Sequence, residues 1–152
     1  MKDNGPMLPP RTILTTTDFS DASRPGLEAA AQLAAATGAA LHVVHAEEPL
    51  LAAAAQHSHL DIATQTREEL QKFVAAALPV RSPSPQLQVR SGSAAEAILE
   101  AAAAVGADMI VIASHGRSGV GRAVFGSVAE GVLRAAAIPV LVIPATNDTK
   151  TN

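Results

Sequence analysis

The sequence contains no cysteine, tryptophan or tyrosine and has only three phenylalanines among its 152 residues. The absence of cysteine excludes disulfides and thiol chemistry, and it fits a reducing cytoplasm. With so few aromatic rings, the core must be built from valine, isoleucine and leucine. No apolar run reaches the roughly 18 residues of a membrane-spanning helix.

Basic residues are also few, because 11 lysines and arginines stand against 14 aspartates and glutamates, which gives a formal net charge of −3 at pH 7. A chain of this charge has no broad basic surface for nucleic acid, and residues 1–10 lack the apolar core of a signal peptide. We therefore expect a cytoplasmic protein that binds neither nucleic acid nor a membrane. We also expect a flexible segment at 1–10, a single α/β domain at 11–144 and a flexible polar tail at 145–152.

Five segments have the character of β-strands. Residues 11–18 are rich in β-branched side chains and end in a polar cluster, and 40–48 is a similar segment. The short apolar runs at 108–113 and 139–144 are typical of parallel strands covered by helices on both faces. Residues 86–90 alternate polar and apolar side chains, which indicates a strand near a sheet edge.

Helical patterns lie between these segments, and alanine, which favours closely packed helices, dominates several of them. Leu27, Ala30 and Ala34 recur at three-to-four spacing until Gly38, and another helical face ends before Pro79. Two S-x-x-E capping boxes predict further helix starts, with the serines at positions 93 and 127. The order β-α-β-α-β-α-β-α-β predicts an α/β fold with a parallel sheet.

The segment 113–132, ASHGRSGVGRAVFGSVAEGV, follows the fourth strand and leads into the last helix at Ser127. Glycines allow close backbone approach, and a helix N-terminus presents N–H groups and a dipole that favour an anion. Ligands of open α/β sheets bind beyond the carboxyl ends of the strands, where the winding direction reverses. If the first and fourth strands are neighbours, Asp18 faces this loop.

Most of the chain resembles the universal stress protein family. The resemblance is carried by ILTTTDFSDAS, LHVVHAEE, SGSAAEAILEAAAAVGADMIVIASHGRSG and FGSVAEGVLRAAAIPVLVIP. The motif of nucleotide-binding members is G-x2-G-x9-G-[ST], and Gly116, Gly126 and Ser127 meet its spacing, whereas Ala113 stands at the first glycine position. The resemblance implies an open, Rossmann-like five-stranded parallel sheet in the order 3-2-1-4-5, with helices on both faces.

The resemblance also implies a site for ATP, with or without Mg²⁺. Asp18 would lie by the adenosine with Thr17 beside it, and the strand end from Val43 to Ala46 would offer backbone groups to adenine. The remaining implied contacts are Ala113, Ser114 and His115 under the ribose, Gly116, Arg117 and Ser118 along the phosphates, and Gly126, Ser127 and Val128 at the loop end and helix start. No base for hydrolysis is evident, so we expect slow hydrolysis at most.

Purely structural roles compete with these. Asp18 can support the turn into the first helix, and the Ser127 hydroxyl can cap the last helix while its backbone amide remains available. No Ser/His/Asp set can be assembled around His115, which we interpret as a loop or ribose-side residue.

The other histidines give weak signals. His57 and His59 with Asp61 match no recognised metal-ligand spacing. His42 and His45, three apart on a predicted strand, point to opposite faces and cannot form one site.

In the implied strand order, the final strand, with VLVI at 140–143, lies at a sheet edge without charge or proline. We therefore expect a two-fold homodimer through Val140–Ile143, unless the tail at 145–152 shields this edge. Three functions remain open at this point: a nucleotide-binding stress-response module, a dimeric interaction protein of the same family without nucleotide, and an enzyme of related topology that uses ATP.

Overall fold

The computed structural model describes residues 8–50, 53–54, 62–80, 82–115 and 125–144. The predicted sites at Gly116, Arg117, Ser118 and in the segment 57–61 lie outside these ranges. The elements in chain order are β1 (Thr12–Thr16), a 3₁₀ turn (Asp21–Ser23), α1 (Arg24–Thr37), β2 (Ala40–Glu47), α2 (Ile62–Ala77), β3 (Gln86–Ser91), α3 (Ala94–Val105), β4 (Met109–Ala113), α4 (Ser127–Ala135) and β5 (Val140–Ile143).

The five strands form one parallel sheet in the order β3-β2-β1-β4-β5. Thr15 of β1 pairs with Val43 on one side and with Val111 on the other, so β1 is central. The predicted fold class and strand order are confirmed. The polar-apolar strand β3 lies at one edge and the apolar strand β5 at the other.

Helices cover both faces of the sheet. Ile13, Leu41 and Val111 lie on the face that α1 and α2 cover. Leu14 and Val44 lie on the opposite face, which packs against α3 and α4. α1 and α3 pack close to the strands because the residues that they bury against the sheet include several alanines, whose side chains are small.

Glycine permits one close approach of this kind. A Cβ atom built on Gly26 of α1 would lie 2.7 Å from the backbone nitrogen of Ala113 at the end of β4. Such a distance is shorter than any ordinary contact, so the helix can rest on this strand only where the side chain is missing.

The helix ends agree with the sequence patterns in position, with one correction, although Ser93 does not form the side-chain hydrogen bond of the predicted capping box. Gly38 and Gly106 end α1 and α3 in the left-handed conformation, and Ser93 is the N-cap of α3. The capping box predicted at Ser127 is wrong by one residue, because Gly126 is the N-cap of α4 and Ser127 is its first helical residue. Gly126 donates its N–H to the Ser114 carbonyl, which sets the helix start there.

The amino ends of the parallel strands form what we call the amino edge of the sheet, and their carboxyl ends form the carboxyl edge. A carboxylate joins two strands at the amino edge. Asp108 Oδ2 accepts from the backbone nitrogens of Arg11 at 2.7 Å and Thr12 at 3.0 Å. Hydrogen bonds to a charged acceptor are stronger than neutral ones, so this side chain fixes the start of β1 beside β4.

In the part of the chain that the structure describes, no helix is long and apolar enough to cross a membrane.

Candidate functional site

A cavity of about 660 Å³ opens at the carboxyl ends of the strands. Its described floor includes the buried side chains of Ile98 and Ile112, and its walls come from both sides of the sheet. The volume falls within the range of sites that hold small ligands and cofactors. The cavity therefore lies where the strand order predicts a ligand.

The loop after β1 forms one wall and is held by its own hydrogen bonds. The buried hydroxyls of Thr17 and Ser23 are 2.7 Å apart, and the Phe19 N–H donates to Thr17 Oγ1. Asp18 Oδ1 accepts from both the backbone N–H and the hydroxyl of Ser20. One oxygen of Asp18 thus supports the turn, as the structural alternative predicts, while the residue also lines the cavity.

Phe19 follows with φ of 65°, a left-handed backbone that is uncommon for a residue with a bulky side chain. Its ring lies against His45, with centroids 4.2 Å apart, and against Phe73 of α2, with centroids 5.8 Å apart. The hydrogen bonds around Thr17 hold the loop in this conformation. The consequence is that the loop presents Asp18 at the cavity, and Phe19, which packs against His45 and Phe73, lines the cavity as well.

At the end of β2, His45 is one of the residues that line the cavity. Its Nδ1 atom lies 2.9 Å from the carbonyl oxygen of Thr17, which joins the strand to the loop. His42, three residues earlier, lies towards the other face, as predicted. Burial lowers the pKa of His42 below 6.5, because desolvation disfavours its charged form.

The N-terminus of α4 forms the opposite wall. Gly126, Ser127 and Val128 line the cavity there, beside Ser114 and His115 from the end of β4. Ser114 Oγ lies 3.0 Å from His115 Nδ1, and His115 Nε2 is buried without a hydrogen-bond partner among the described residues. The first backbone N–H groups of a helix have no partner within the helix, so α4 offers donors to a ligand.

A second helix also begins at the cavity. Gly92, Ser93 and Ala94 line it at the start of α3, and Ser93 makes no side-chain capping bond. A side chain at Gly131 of α4 would lie 2.9 Å from Ala95 Cβ, so the first turn of α3 packs against the middle of α4. The Gly92 N–H donates to the Glu47 carbonyl, so the N-terminus of α3 lies at the β2 side of the cavity, whereas the N-terminus of α4 lies at the β4 side.

The side of the cavity near the loop after β1, the end of β2 and α2 is acidic. The carboxylates among the described lining residues belong to Asp18, Glu47, Glu48 and Glu69, and these lining residues include no lysine or arginine. Glu47 accepts a hydrogen bond from Thr66 of α2 at 3.1 Å, whereas Glu48 and Glu69 are exposed. Among the described lining residues, the carboxylates thus lie towards β2, and the N-terminus of α4 lies on the opposite side, beside β4.

The structure gathers most of the predicted site residues that it describes. The predicted residues that line the cavity are Thr17, Asp18, Ala46, Ala113, Ser114, His115, Gly126, Ser127 and Val128. Val43 is not among the lining residues, because its side chain is fully buried between α1 and α2.

Several lining residues have no counterpart in the sequence prediction. Gly92 and Ser93 follow β3, so the rule that ligands bind at carboxyl ends of strands contained a signal for them. Thr66 and Glu69 reach the cavity from α2, and no motif marks them. In the described residues, no group of three or more histidine, aspartate or glutamate side chains is arranged to hold a metal ion.

The fold and the cavity define an α/β protein with a Rossmann-like sheet and a candidate ligand site at its switch point. The sequence model of the universal stress protein family, Usp, matches residues 10–144. A universal stress protein from Thermus aquaticus is 34% identical over 134 residues, which cover 88% of this chain and 98% of the relative.

Several solved structures share this fold at more than a quarter identity. A universal stress protein in complex with cAMP is 27% identical with a TM-score of 0.64, over 90% of this chain and 98% of that one. A universal stress protein from Archaeoglobus fulgidus is 29% identical with a TM-score of 0.62, over 87% and 97%. The chain belongs to the universal stress protein family.

Proposed function

We propose that this protein is an adenine-nucleotide-binding stress-response module that holds ATP in the cavity at the carboxyl edge of the sheet. The observation that carries the proposal is the convergence of the α4 N-terminus and the loop after β1 on one cavity of about 660 Å³. The similar protein solved with cAMP supports an adenine nucleotide as the ligand class.

The placement of the carboxylates, away from the N-terminus of α4, supports one orientation of the ligand. Phosphates repel carboxylates and are favoured at helix N-termini, so they would lie at Gly126, Ser127 and Val128. The uncharged nucleoside would lie towards Asp18 and the end of β2. There the carboxylate of Asp18 would accept from an N–H or O–H group of the adenosine, while its other role in the turn is kept.

A charge substitution tests the phosphate end. In Ser127→Glu the new carboxylate stands at the first position of α4, where it interacts favourably with the helix dipole but repels a phosphate. We expect titration calorimetry to show saturable ATP binding to the native protein and at least about tenfold weaker binding to this variant. The titrations are run with and without Mg²⁺.

Gln32→Glu is the matched control, because Gln32 is exposed on α1 and the same negative charge is added there. This control should bind ATP like the native protein. Equal ATP affinity in all three proteins would contradict the phosphate placement, and the absence of saturable binding in the native protein would contradict the function.

We also propose that β5 pairs with β5 of a second copy. β5 is an edge strand of the sheet, and Leu141 on it is 40% exposed. Unblunted apolar edges favour pairing with another chain, and a two-fold axis would cover both edges with the same segment. Sedimentation velocity should report a dimer for the native protein and a monomer for Leu141→Lys. A monomeric native protein would remove the idea.

The alternative function is a dimeric interaction protein without nucleotide. It is favoured by the carboxylates of the lining and by the lack of lysine and arginine among the described lining residues. Mass spectrometry of the freshly purified, denatured protein separates the two functions. Adenine nucleotide released on denaturation supports the first, and none released together with no calorimetric binding supports the second.

A further inference from the structure

The ring of His45 carries a hydrogen-bond acceptor at the cavity. Its Nδ1 atom is 2.9 Å from the Thr17 carbonyl oxygen, which can only accept, so Nδ1 carries the proton. The neutral imidazole then has a bare lone pair on Nε2. Nε2 has no hydrogen-bond partner among the residues that the structure describes.

The ring is also fixed in direction. The Phe19 ring lies against it at 4.2 Å between centroids with a tilt of 31°, and Phe19 is itself held against Phe73. The bond to Thr17 joins the ring to the loop that presents Asp18. A group held from two sides keeps its acceptor oriented before a ligand arrives, which reduces the entropy cost of binding.

The position of His45 associates it with the nucleoside rather than with the phosphates. β1 separates β2 from β4, so the end of β2 and the loop at α4 lie roughly 10 Å apart across the sheet. Glu47 and Glu48, the residues that follow on the chain, also line the cavity. Their negative charge disfavours phosphate near His45 and favours a neutral group that offers N–H donors.

We propose that His45 Nε2 accepts a hydrogen bond from the exocyclic amine of the adenine base, and that this makes the cavity select 6-amino purines over 6-oxo purines. The proposal rests on the proposed function and names a specificity-determining residue within the same site. A 6-oxo purine would place a carbonyl oxygen opposite Nε2. Two acceptors then face each other, and both lose the hydrogen bond that water would give.

The test compares ATP with inosine triphosphate, in which the 6-amino group is replaced by a 6-oxo group. The native protein should bind ATP at least about tenfold more tightly than inosine triphosphate, as expected for one hydrogen bond gained and one repulsion avoided. Calorimetry measures both dissociation constants for each variant, and thermal melting confirms that each variant is folded.

Two substitutions separate the acceptor from the structural role of the ring. His45→Asn keeps a side-chain N–H near the Thr17 carbonyl but removes the acceptor at the Nε2 position, so its ATP preference should fall to within about threefold. His45→Gln keeps an acceptor near the Nε2 position but loses the bond to Thr17. This variant should bind both nucleotides more weakly while it retains the preference for ATP.

A purely structural role predicts the reverse pattern, with Asn harmless and Gln harmful to the preference, and that result would overturn the proposal. An Asn effect that appears only when ATP is compared with 2′-deoxy-ATP would assign Nε2 to the ribose and also overturn it. ATP binding with no preference in the native protein would remove the selectivity but leave the proposed function. No binding of ATP at all would remove both.

Discussion

The amino edge and the carboxyl edge of the sheet differ in how far their polar groups are hydrogen-bonded within the protein. At the amino edge, the Asp108 carboxylate accepts from two backbone N–H groups, and left-handed glycines end α1 and α3. At the carboxyl edge, His115 Nε2 is buried without a partner and Ser93 caps no N–H group, within the described residues. One edge completes its hydrogen bonds internally, whereas the other leaves donors and acceptors facing a cavity.

This difference indicates where stability and function reside. Unpartnered buried polar atoms cost free energy, so a fold retains them where a ligand can complete them. Each strand begins at the amino edge and ends at the carboxyl edge. Because the strands are parallel, all their carboxyl ends lie on one side of the sheet. Substitutions at the amino edge should therefore change stability alone, and those at the cavity should change binding.

The largest loss of stability is expected at the amino edge. Asp108→Ala leaves the backbone N–H groups of Arg11 and Thr12 without their charged acceptor, which should lower the free energy of unfolding by about 2 kcal/mol. Urea denaturation measures this change. Asp108→Asn keeps one oxygen acceptor and should lose less. A change in ATP affinity in either variant would contradict the division between the edges.

A loss of comparable size is expected where α1 approaches the carboxyl edge. In Gly26→Ala the added Cβ meets the Ala113 backbone at 2.7 Å, and backbone atoms cannot turn away as a side chain can. Overpacking of this kind costs about 1–3 kcal/mol. Glu28→Ala, on the exposed side of the same helix, is the control and should be nearly neutral in a thermal melt. Equal melting temperatures would show that helix and strand shift freely.

Two buried threonines of similar exposure should respond with opposite signs. Thr15 Oγ1 has no hydrogen-bond partner among the described residues, so Thr15→Val should raise the free energy of unfolding by about 1 kcal/mol. Thr17 Oγ1 bonds to Ser23 and to the Phe19 N–H, so Thr17→Val should destabilise. Chemical denaturation of both variants measures the pair. Destabilisation by Thr15→Val would mean that its hydroxyl is satisfied.

The smallest effect is expected midway between the edges, at His42. Its pKa is lowered by burial, so the unfolded chain takes up the proton more readily than the folded one as the pH falls below about 6.5. The stability contribution of neutral His42 is present above that pH and is lost below it. Denaturation at about pH 7.5 and about pH 5 should show a smaller acid loss for His42→Gln than for the native protein. Equal losses would contradict it.

Much of the fold could be predicted because local patterns and packing agree. The spacing of Leu27, Ala30 and Ala34 matches the buried face of α1, and Gly38 ends that helix as predicted. The apolar runs of β4 and β5 appear in the sheet, with β4 one residue shorter at its start and β5 one residue shorter at each end. The predicted N-cap of α4 was wrong by one residue. The hydrogen bond from Gly126 to Ser114 sets the helix start, and it is a tertiary contact that the local pattern does not contain.

The site could be predicted only in part, because some of its residues are defined by three-dimensional placement. Thr66 and Glu69 reach the cavity through the position of α2, which the pattern of the helix does not determine. The proton on His45 Nδ1 depends on the Thr17 carbonyl, a contact 28 residues away in sequence. Residue type alone therefore does not indicate which ring nitrogen faces a ligand.

We expect the cavity to bind a nucleotide with its phosphates at the α4 N-terminus and its nucleoside near β2. The most direct measurement compares ATP with adenosine by titration calorimetry on the native protein. We expect one saturable site at which ATP binds at least about tenfold more tightly than adenosine, because only ATP reaches the helix N-terminus. Equal affinities for the two ligands, or no saturable heat with ATP, would contradict it.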